Sequence, residues 1–420
     1  MSAPSQSQPA ARAWVVVTLL AGVNALNFLD RQLLSILAEP VKADLLLTDT
    51  QLGLLSGLAF ALFYTVFGIP VAWMADRSNR VRIVAGACAL WSLFTAACGY
   101  AQNFGQLALA RVGVAVGEAG GSPPSYSIIS DYVPKDRRAT ALAIYSLGVP
   151  VGTTIGAALG GWIAAEHGWR TAFIAIGLIG VVYACMVLLL VREPRRGQFD
   201  AVAVQSVPLK QTVLKFAVNP TLRFTVVAAA LSAFVGYAML NWTPALLMRT
   251  KGMRLEEVAA YYSLTSGIAG AIGMVVSGYL VDRFGKNNRR VYGLVPALAF
   301  LLAVPFYLVG IWSPQWGWSL VALAIPFAVY AAYLPSALAI VQNSVSPAER
   351  STASAILLFI INIVGLGGGP LFVGAISDAA ARDGLAEPLQ LAMFMLAPVF
   401  LLAAIGHFQV ARSIGQDEAF

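Results

Sequence analysis

Trp14-VVVTLLAGVNALNFLDRQLLSIL-Ala38 is the stretch on which the reading of this chain turns. It is an apolar stretch that carries no charge except Asp30 and Arg31, which stand side by side near its end. About 20 apolar residues suffice for a helix to cross a bilayer. A charge at that depth costs from about 2.5 to more than ~10 kcal/mol, so it persists where it faces an internal cavity rather than lipid. If the stretch spans a membrane, Asp30 and Arg31 mark an internal pathway.

Composition says that it does. Of 420 residues, 59% are hydrophobic and 11% charged, against about 25% charged in an ordinary soluble domain. With a mean hydropathy of +0.75, the chain has too little polar surface to cover a water-soluble fold of this size. Cys88, Cys98 and Cys185 lie in apolar segments with no metal-ligand or redox spacing, and read as packed free thiols. With His167 and His407 as the only histidines, no metal site is expected. Met1–Ala11 is small and polar, and the apolar run after it lacks a small-residue cleavage exit, so no cleavable signal is expected.

Twelve apolar spans follow, near 14–38, 50–74, 81–101, 104–130, 138–165, 169–191, 222–248, 256–281, 291–311, 316–341, 351–378 and 389–411. With the N-terminus inside, nineteen of the 27 Lys and Arg residues fall in cytoplasmic segments and six outside, leaving Arg31 and Arg111 within spans. That asymmetry predicts cytoplasmic N- and C-termini in a cell (plasma or inner) membrane. The net charge of +7 then reads as topology, with no nucleic-acid partner implied.

The expected organisation is a cytoplasmic tail (1–13), a six-helix bundle (14–191), a cytoplasmic linker (192–221), a second six-helix bundle (222–411) and a cytoplasmic tail (412–420). Within the linker, Pro208-LKQTVLKFAV-Asn219 reads as a short amphipathic helix or a plain tether. The halves repeat. Asp76-Arg77 after the second span matches Asp282-Arg283 after the eighth, Pro134-Lys-Asp-Arg137 matches Pro347-Ala-Glu-Arg350, and Gly148-Val-Pro150 matches Gly368-Gly-Pro370. Three matched marks in order describe parallel six-span halves, a common transporter plan with the binding site between the repeats.

The pattern resembles the major facilitator superfamily over nearly the whole chain. Gly278-Tyr-Leu-Val-Asp282-Arg283-Phe-Gly285-Lys286 fits that superfamily's loop motif; the first copy departs from it, with Ala72 and Asn79 where the motif has glycine. Within the superfamily the first half is similar to the Spinster lineage, which includes transporters of sphingolipid- and lysolipid-type substrates. The residues that carry this are Asn27-Phe-Leu-Asp30-Arg31, Ala75-Asp76-Arg77, Arg111-Val-Gly-Val-Ala-Val-Gly117-Glu118-Ala119, Pro150-Val-Gly152 and Glu193-Pro194-Arg195-Arg196-Gly197. The resemblance implies an all-α integral membrane protein, twelve transmembrane helices in two pseudo-symmetric six-helix bundles.

Apart from His407, four ionisable residues lie well inside the spans: Asp30, Arg31, Arg111 and Glu118, all in the first half. The matching seventh span offers neutral Tyr237 and Asn241. Arg111 and Glu118 are seven apart, two helical turns, and share a face. Asn24, Asn27 and Arg31 form a stripe on the first helix, while Asp30 lies ~100° round from Arg31, so the two face different partners. Asp30 and Glu118 are the candidates for carrying a coupling proton, because burial favours the neutral acid and a nearby arginine the carboxylate. Arg31, Arg111 and Asn27 are the candidate charge partners or headgroup contacts. A static network that fixes helix packing is the alternative. Which arginine takes which carboxylate stays open.

Asp76, Arg77, Arg80, Arg137, Asp282, Arg283 and Arg350 sit at loop ends, and the resemblance implies that they form a latch on the cytoplasmic side. Gly148, Pro150, Gly152, Gly369 and Pro370 suit close helix packing. The glycine spacings lie inside apolar spans with no phosphate-loop lysine, so they are not nucleotide sites. No nucleophile–base pairing marks an enzyme. The expectation is a monomeric, proton-coupled transporter of a small amphipathic, lipid-like substrate in a lipid bilayer, with no cofactor beyond the proton. A drug–proton antiporter, an organic-anion symporter and a non-transporting receptor are the rivals.

Overall fold

In a computed structural model, residues 10–197, 209–285, 288–330, 332–346 and 349–414 are described. The end of each expected tail, the middle of the linker, Lys286, the Pro347–Ala348 mark and the Asp282 side chain lie outside the described residues. The chain divides into two compact units, Met1–Leu33 with Phe63–Ala203, and Leu34–Leu62 with Val204–Phe420.

The chain begins with α1 (Ala10–Ile36), the short helices α2 (Ala38–Leu45) and α3 (Asp49–Ser56), and α4 (Leu58–Arg77). The first unit continues through α5 (Arg80–Cys98), α6 (Phe104–Glu118), α7 (Ser122–Tyr132), α8 (Lys135–Ser146) and α9 (Gly148–Leu190). The second unit holds α10 (Leu209–Val218), α11 (Pro220–Arg249), α12 (Leu255–Glu257), a π-helical turn Val258–Tyr262, α13 (Ser263–Gly285) and α14 (Val291–Trp312). After α15 (Trp316–Tyr330), α16 (Tyr333–Asn343) and α17 (Arg350–Ile360), a second π-helical stretch, Ile361–Gly368, leads into α18 (Gly369–Arg382), α19 (Pro388–Phe394) and α20 (Ala397–Ile414). Among the described residues there is no strand.

Local chemistry explains the boundaries. Asn79, Asn103 and Asn219 cap α5, α6 and α11, each side chain accepting a backbone N–H from the first turn. Among the described residues, ten helices are long and apolar enough to cross a membrane. One of these, Thr140–Leu190, contains two spans joined at Gly168, whose φ of 83° suits glycine. A further span is split after Glu118: Pro123 and Pro124 have no N–H to offer the preceding turn, and α6 gives way to α7 there. Counted this way, the described helices make the twelve expected spans.

Glycine lets α9 lie directly on α1. A Cβ on Gly152 would stand 2.1 Å from the Ala25 carbonyl oxygen, and one on Gly148 2.5 Å from that of Ala21. In the second unit a Cβ on Gly369 would stand 2.3 Å from the Phe234 carbonyl, and the Trp242 indole N–H donates to the Pro370 carbonyl at 2.9 Å. These contacts set α9 against α1 in the first unit and α18 against α11 in the second.

The helix read into the linker is α10, with Thr212 and Phe216 buried and Leu209, Val213 and Leu214 exposed. Lys215 Nζ meets Glu349 Oε2 at 2.6 Å, and the Ser346 hydroxyl donates to the same oxygen at 2.5 Å. These bonds, Lys215 first, hold the Glu349 carboxyl below its ordinary range. Cys88 and Cys98 are buried as expected, but Cys185 is exposed on the flank of α9.

Candidate functional site

Asp30, Arg31, Arg111 and Glu118 converge inside the first unit. The Arg31 Nε–H donates to Glu118 Oε2 at 2.7 Å, and the Glu118 side chain is fully buried. The Arg31 guanidinium also stacks over Tyr64, 4.7 Å from the ring centroid, and near Phe28 at 5.1 Å. Aromatic faces stabilise a desolvated cation at such distances. Asp30 points elsewhere: its Oδ2 accepts the Thr95 hydroxyl from α5. The side-by-side charges thus serve two neighbours, Arg31 facing α6 and Asp30 facing α5.

Arg111 is 2% exposed and lies within electrostatic range of both carboxylates. Asn27 is buried beside Glu118, and Asn24 donates to the Tyr145 carbonyl at 3.1 Å. Glu118 is the last residue of α6, and its carbonyl accepts from Gly121 N–H at 3.0 Å in the tightened turn before α7. The carboxyl therefore sits where the helix is interrupted. Thr95 escaped sequence reasoning, because a lone threonine in an apolar span looks like any other.

At the arginine-rich ends of the helices a second network forms within the same unit. Arg80 is buried and binds Asp131 Oδ2 at 2.5 Å, Glu193 Oε1 at 2.7 Å and the Ser127 hydroxyl at 2.7 Å. Gly197 N–H donates to Asp131 Oδ1 at 2.9 Å. Arg196 closes the end of α4, donating to the carbonyls of Ala75, Asp76 and Ser78.

A family model for the Major Facilitator Superfamily matches residues 20–369. The chain belongs to the Major Facilitator Superfamily. Its similarity extends to an MFS-type efflux pump of Mycolicibacterium smegmatis, 35% identical over 97% of this chain and 94% of that one. It is 27% identical to protein spinster homolog 1 of Homo sapiens, over 89% of this chain and 74% of the human one. A solved bacterial homologue of the human lysosomal transporter Spinster, in an inward-facing, unoccupied conformation, superposes with a TM-score of 0.88 at 31% identity over 98% of both chains. The chain is thus a Spinster-like multi-pass membrane transporter for a small molecule.

In this facilitator the loop acids differ from the arginines around them. The Asp76 carboxylate is exposed, with no hydrogen bond or ion pair among the described residues, and Arg80 is held by Asp131 and Glu193 instead. Arg77 lies over Trp73 at 4.3 Å, Arg350 Nε donates to the Gln342 carbonyl at 3.1 Å, and Arg137 and Arg283 are exposed. Asp131 was missed, being one acid at the end of an apolar span. Glu193, in the lineage-bearing segment, carried more signal.

The second unit contains an ion network of its own. Arg249 at the end of α11 binds Glu39 at 2.6 Å and Asp49 at 2.7 Å. Lys42 and the Ser377 hydroxyl bind Asp49 at 2.5 and 2.6 Å, and Asp378 accepts the backbone N–H groups of Asp49 and Thr50. In the last span His407 meets the Ser232 hydroxyl at 2.9 Å. The Asn241 amide donates to the Tyr237 carbonyl one turn back at 2.9 Å.

Proposed function

We propose that this transporter is proton-coupled and moves an amphipathic, lipid-like substrate, of lysolipid type, by alternating access. The observation that carries the reading is the ion pair between Arg31 and the fully buried Glu118, with Asp30 and Arg111 in the same cluster. A buried ion pair does not hold a fold together efficiently. It does make a switch. When Glu118 takes a proton, Arg31 loses its ionic partner and becomes available to a phosphate headgroup. Loss of the proton recaptures Arg31 and expels the headgroup. Proton and anionic substrate then bind with positive coupling, an effect of ~1–3 kcal/mol in such linkages. Asp30 Oδ1 is buried without a hydrogen-bond partner among the described residues, a second place where a proton can reside.

The same reading places both termini in the cytoplasm of a cell-membrane protein that functions as a monomer, with the proton as coupling ion. Asp76, Arg77, Arg80, Arg137, Asp282, Arg283 and Arg350 contribute to the cytoplasmic gate, Arg80 through Asp131 and Glu193. A second reading, a drug–proton antiporter, is favoured by the similarity to an efflux pump. There a cationic amphiphile competes with the proton for Glu118, so substrate and proton move in opposite directions.

Transport assays in proteoliposomes separate the two. Lysophospholipids, sphingoid bases and cationic dyes are offered in parallel under an imposed pH gradient. The proposal expects gradient-dependent transport of lysophospholipids above protein-free vesicles. Transport of the dyes alone favours the antiporter, and transport of none of the panel overturns the lipid assignment.

A further inference from the structure

A groove of about 450 Å³ runs along the flank of the first unit, between α4, α5 and the end of α6. Its volume falls within the ~300–1,000 Å³ range of small-molecule sites. Its walls are apolar, among them Val71, Met74, Ile83, Leu90 and Val116. Ser78, Asn79 and Arg82 close one end, and no acidic residue lines it among the described residues. Arg82 lies about 12 Å along α5 from Leu90, at 1.5 Å per residue. That is less than half of a ~30 Å hydrocarbon core, so the groove occupies one leaflet, with its polar end at the arginine-rich helix ends.

The groove is open because its floor is small. A Cβ on Gly86 would meet nothing within 4 Å, whereas one on Gly117 would stand 2.6 Å from the Trp91 backbone nitrogen, where the helices touch. The neighbouring arginines are engaged: Arg80 with Asp131 and Glu193, Arg77 over Trp73, Arg196 on the end of α4. The Arg82 side chain is exposed and makes no hydrogen bond or ion pair among the described residues. An apolar channel that ends in an exposed guanidinium matches one chemistry in a bilayer, an acyl chain carrying an anionic phosphate.

We propose that this groove binds an anionic glycerophospholipid, its acyl chain along Gly86 and its phosphate on Arg82. The site goes beyond the transport reading and does not depend on it. It has a consequence for the charge cluster, because Val116, Gly117 and Gly120 line the groove and flank Glu118 in the chain. A lipid lodged there presses on the interrupted turn that carries the proton candidate.

Native mass spectrometry of the purified full chain, titrated with phosphatidylglycerol or phosphatidylcholine, tests the site. One arginine near an anionic lipid surface contributes ~1 kcal/mol, so wild type is expected to retain phosphatidylglycerol about fivefold more than phosphatidylcholine. Arg82→Gln removes that preference, and Gly86→Phe, which fills the groove, lowers the adducts of both lipids. Equal retention of the two lipids by wild type overturns the proposal. So does an unchanged preference in Arg82→Gln, a variant on an exposed side chain that folds whether or not Gly86→Phe does. A dimer that Gly86→Phe dissociates, with lipid adducts unchanged, assigns the groove to a second copy of the chain and also overturns it.

Discussion

Glu118→Gln is expected to abolish concentrative transport of a lysophospholipid while leaving counterflow exchange within about twofold of wild type. Glutamine has the size of glutamate and still accepts the Arg31 Nε–H, so the 2.7 Å contact and the helix turn survive. What it cannot do is gain or lose a proton. Each coupled proton converts one unit of pH gradient into a tenfold concentration ratio, ~1.4 kcal/mol, and that ratio collapses to one in the variant. Counterflow needs only the alternating movement, which a permanently neutral residue 118 permits. Loss of both activities instead assigns Glu118 to the architecture of the bundle, and retention of both removes it from the coupling path. Asp30→Asn, tested beside it, shows whether the carboxyl bound by Thr95 shares the role.

The second large effect is on stability. Arg249→Ala is expected to give the greatest loss of thermal stability among single charge removals in the second unit. Arg249 makes four hydrogen bonds to Glu39 and Asp49 and joins chain segments 200 and more residues apart. Removing one partner of a buried pair costs about 3–5 kcal/mol, because the remaining charge stays desolvated. Asp49 has a side-chain exposure of 3%, with Lys42 left as its cationic partner. Thermal unfolding of the purified variants in one detergent measures the loss. Arg249→Ala combined with Glu39→Gln and Asp49→Asn recovers part of it, since the carboxylates that needed the arginine are gone. An unfolding temperature unchanged in Arg249→Ala contradicts the network's role.

Much of this was legible in the sequence. Hydropathy and the duplicated marks led to the helical fold because lipid permits few spanning structures. The seven-residue spacing of Arg111 and Glu118, and the ~100° turn between Asp30 and Arg31, led to a cluster with divergent partners. Spacing alone could not say that Arg31 would bind Glu118. That depends on how α1 and α6 are tilted and rotated, which neither helix encodes alone. Thr95, Asp131, Asp49 and Arg249 were illegible for a related reason. Each becomes informative only when paired with a residue distant in the chain, and a single hydroxyl or charge at a span end has no local pattern. The break after Glu118 was written in Pro123-Pro124, but its meaning depends on the carboxyl that precedes it.

The central claim, that the buried cluster couples a proton to substrate movement, is tested most directly by following lumenal pH in proteoliposomes with a trapped dye while an anionic lysophospholipid is added outside. The account predicts acidification beyond that of protein-free vesicles, in step with tracer uptake and absent in Glu118→Gln. Tracer uptake with no change of lumenal pH, or acidification undiminished in Glu118→Gln, would contradict it.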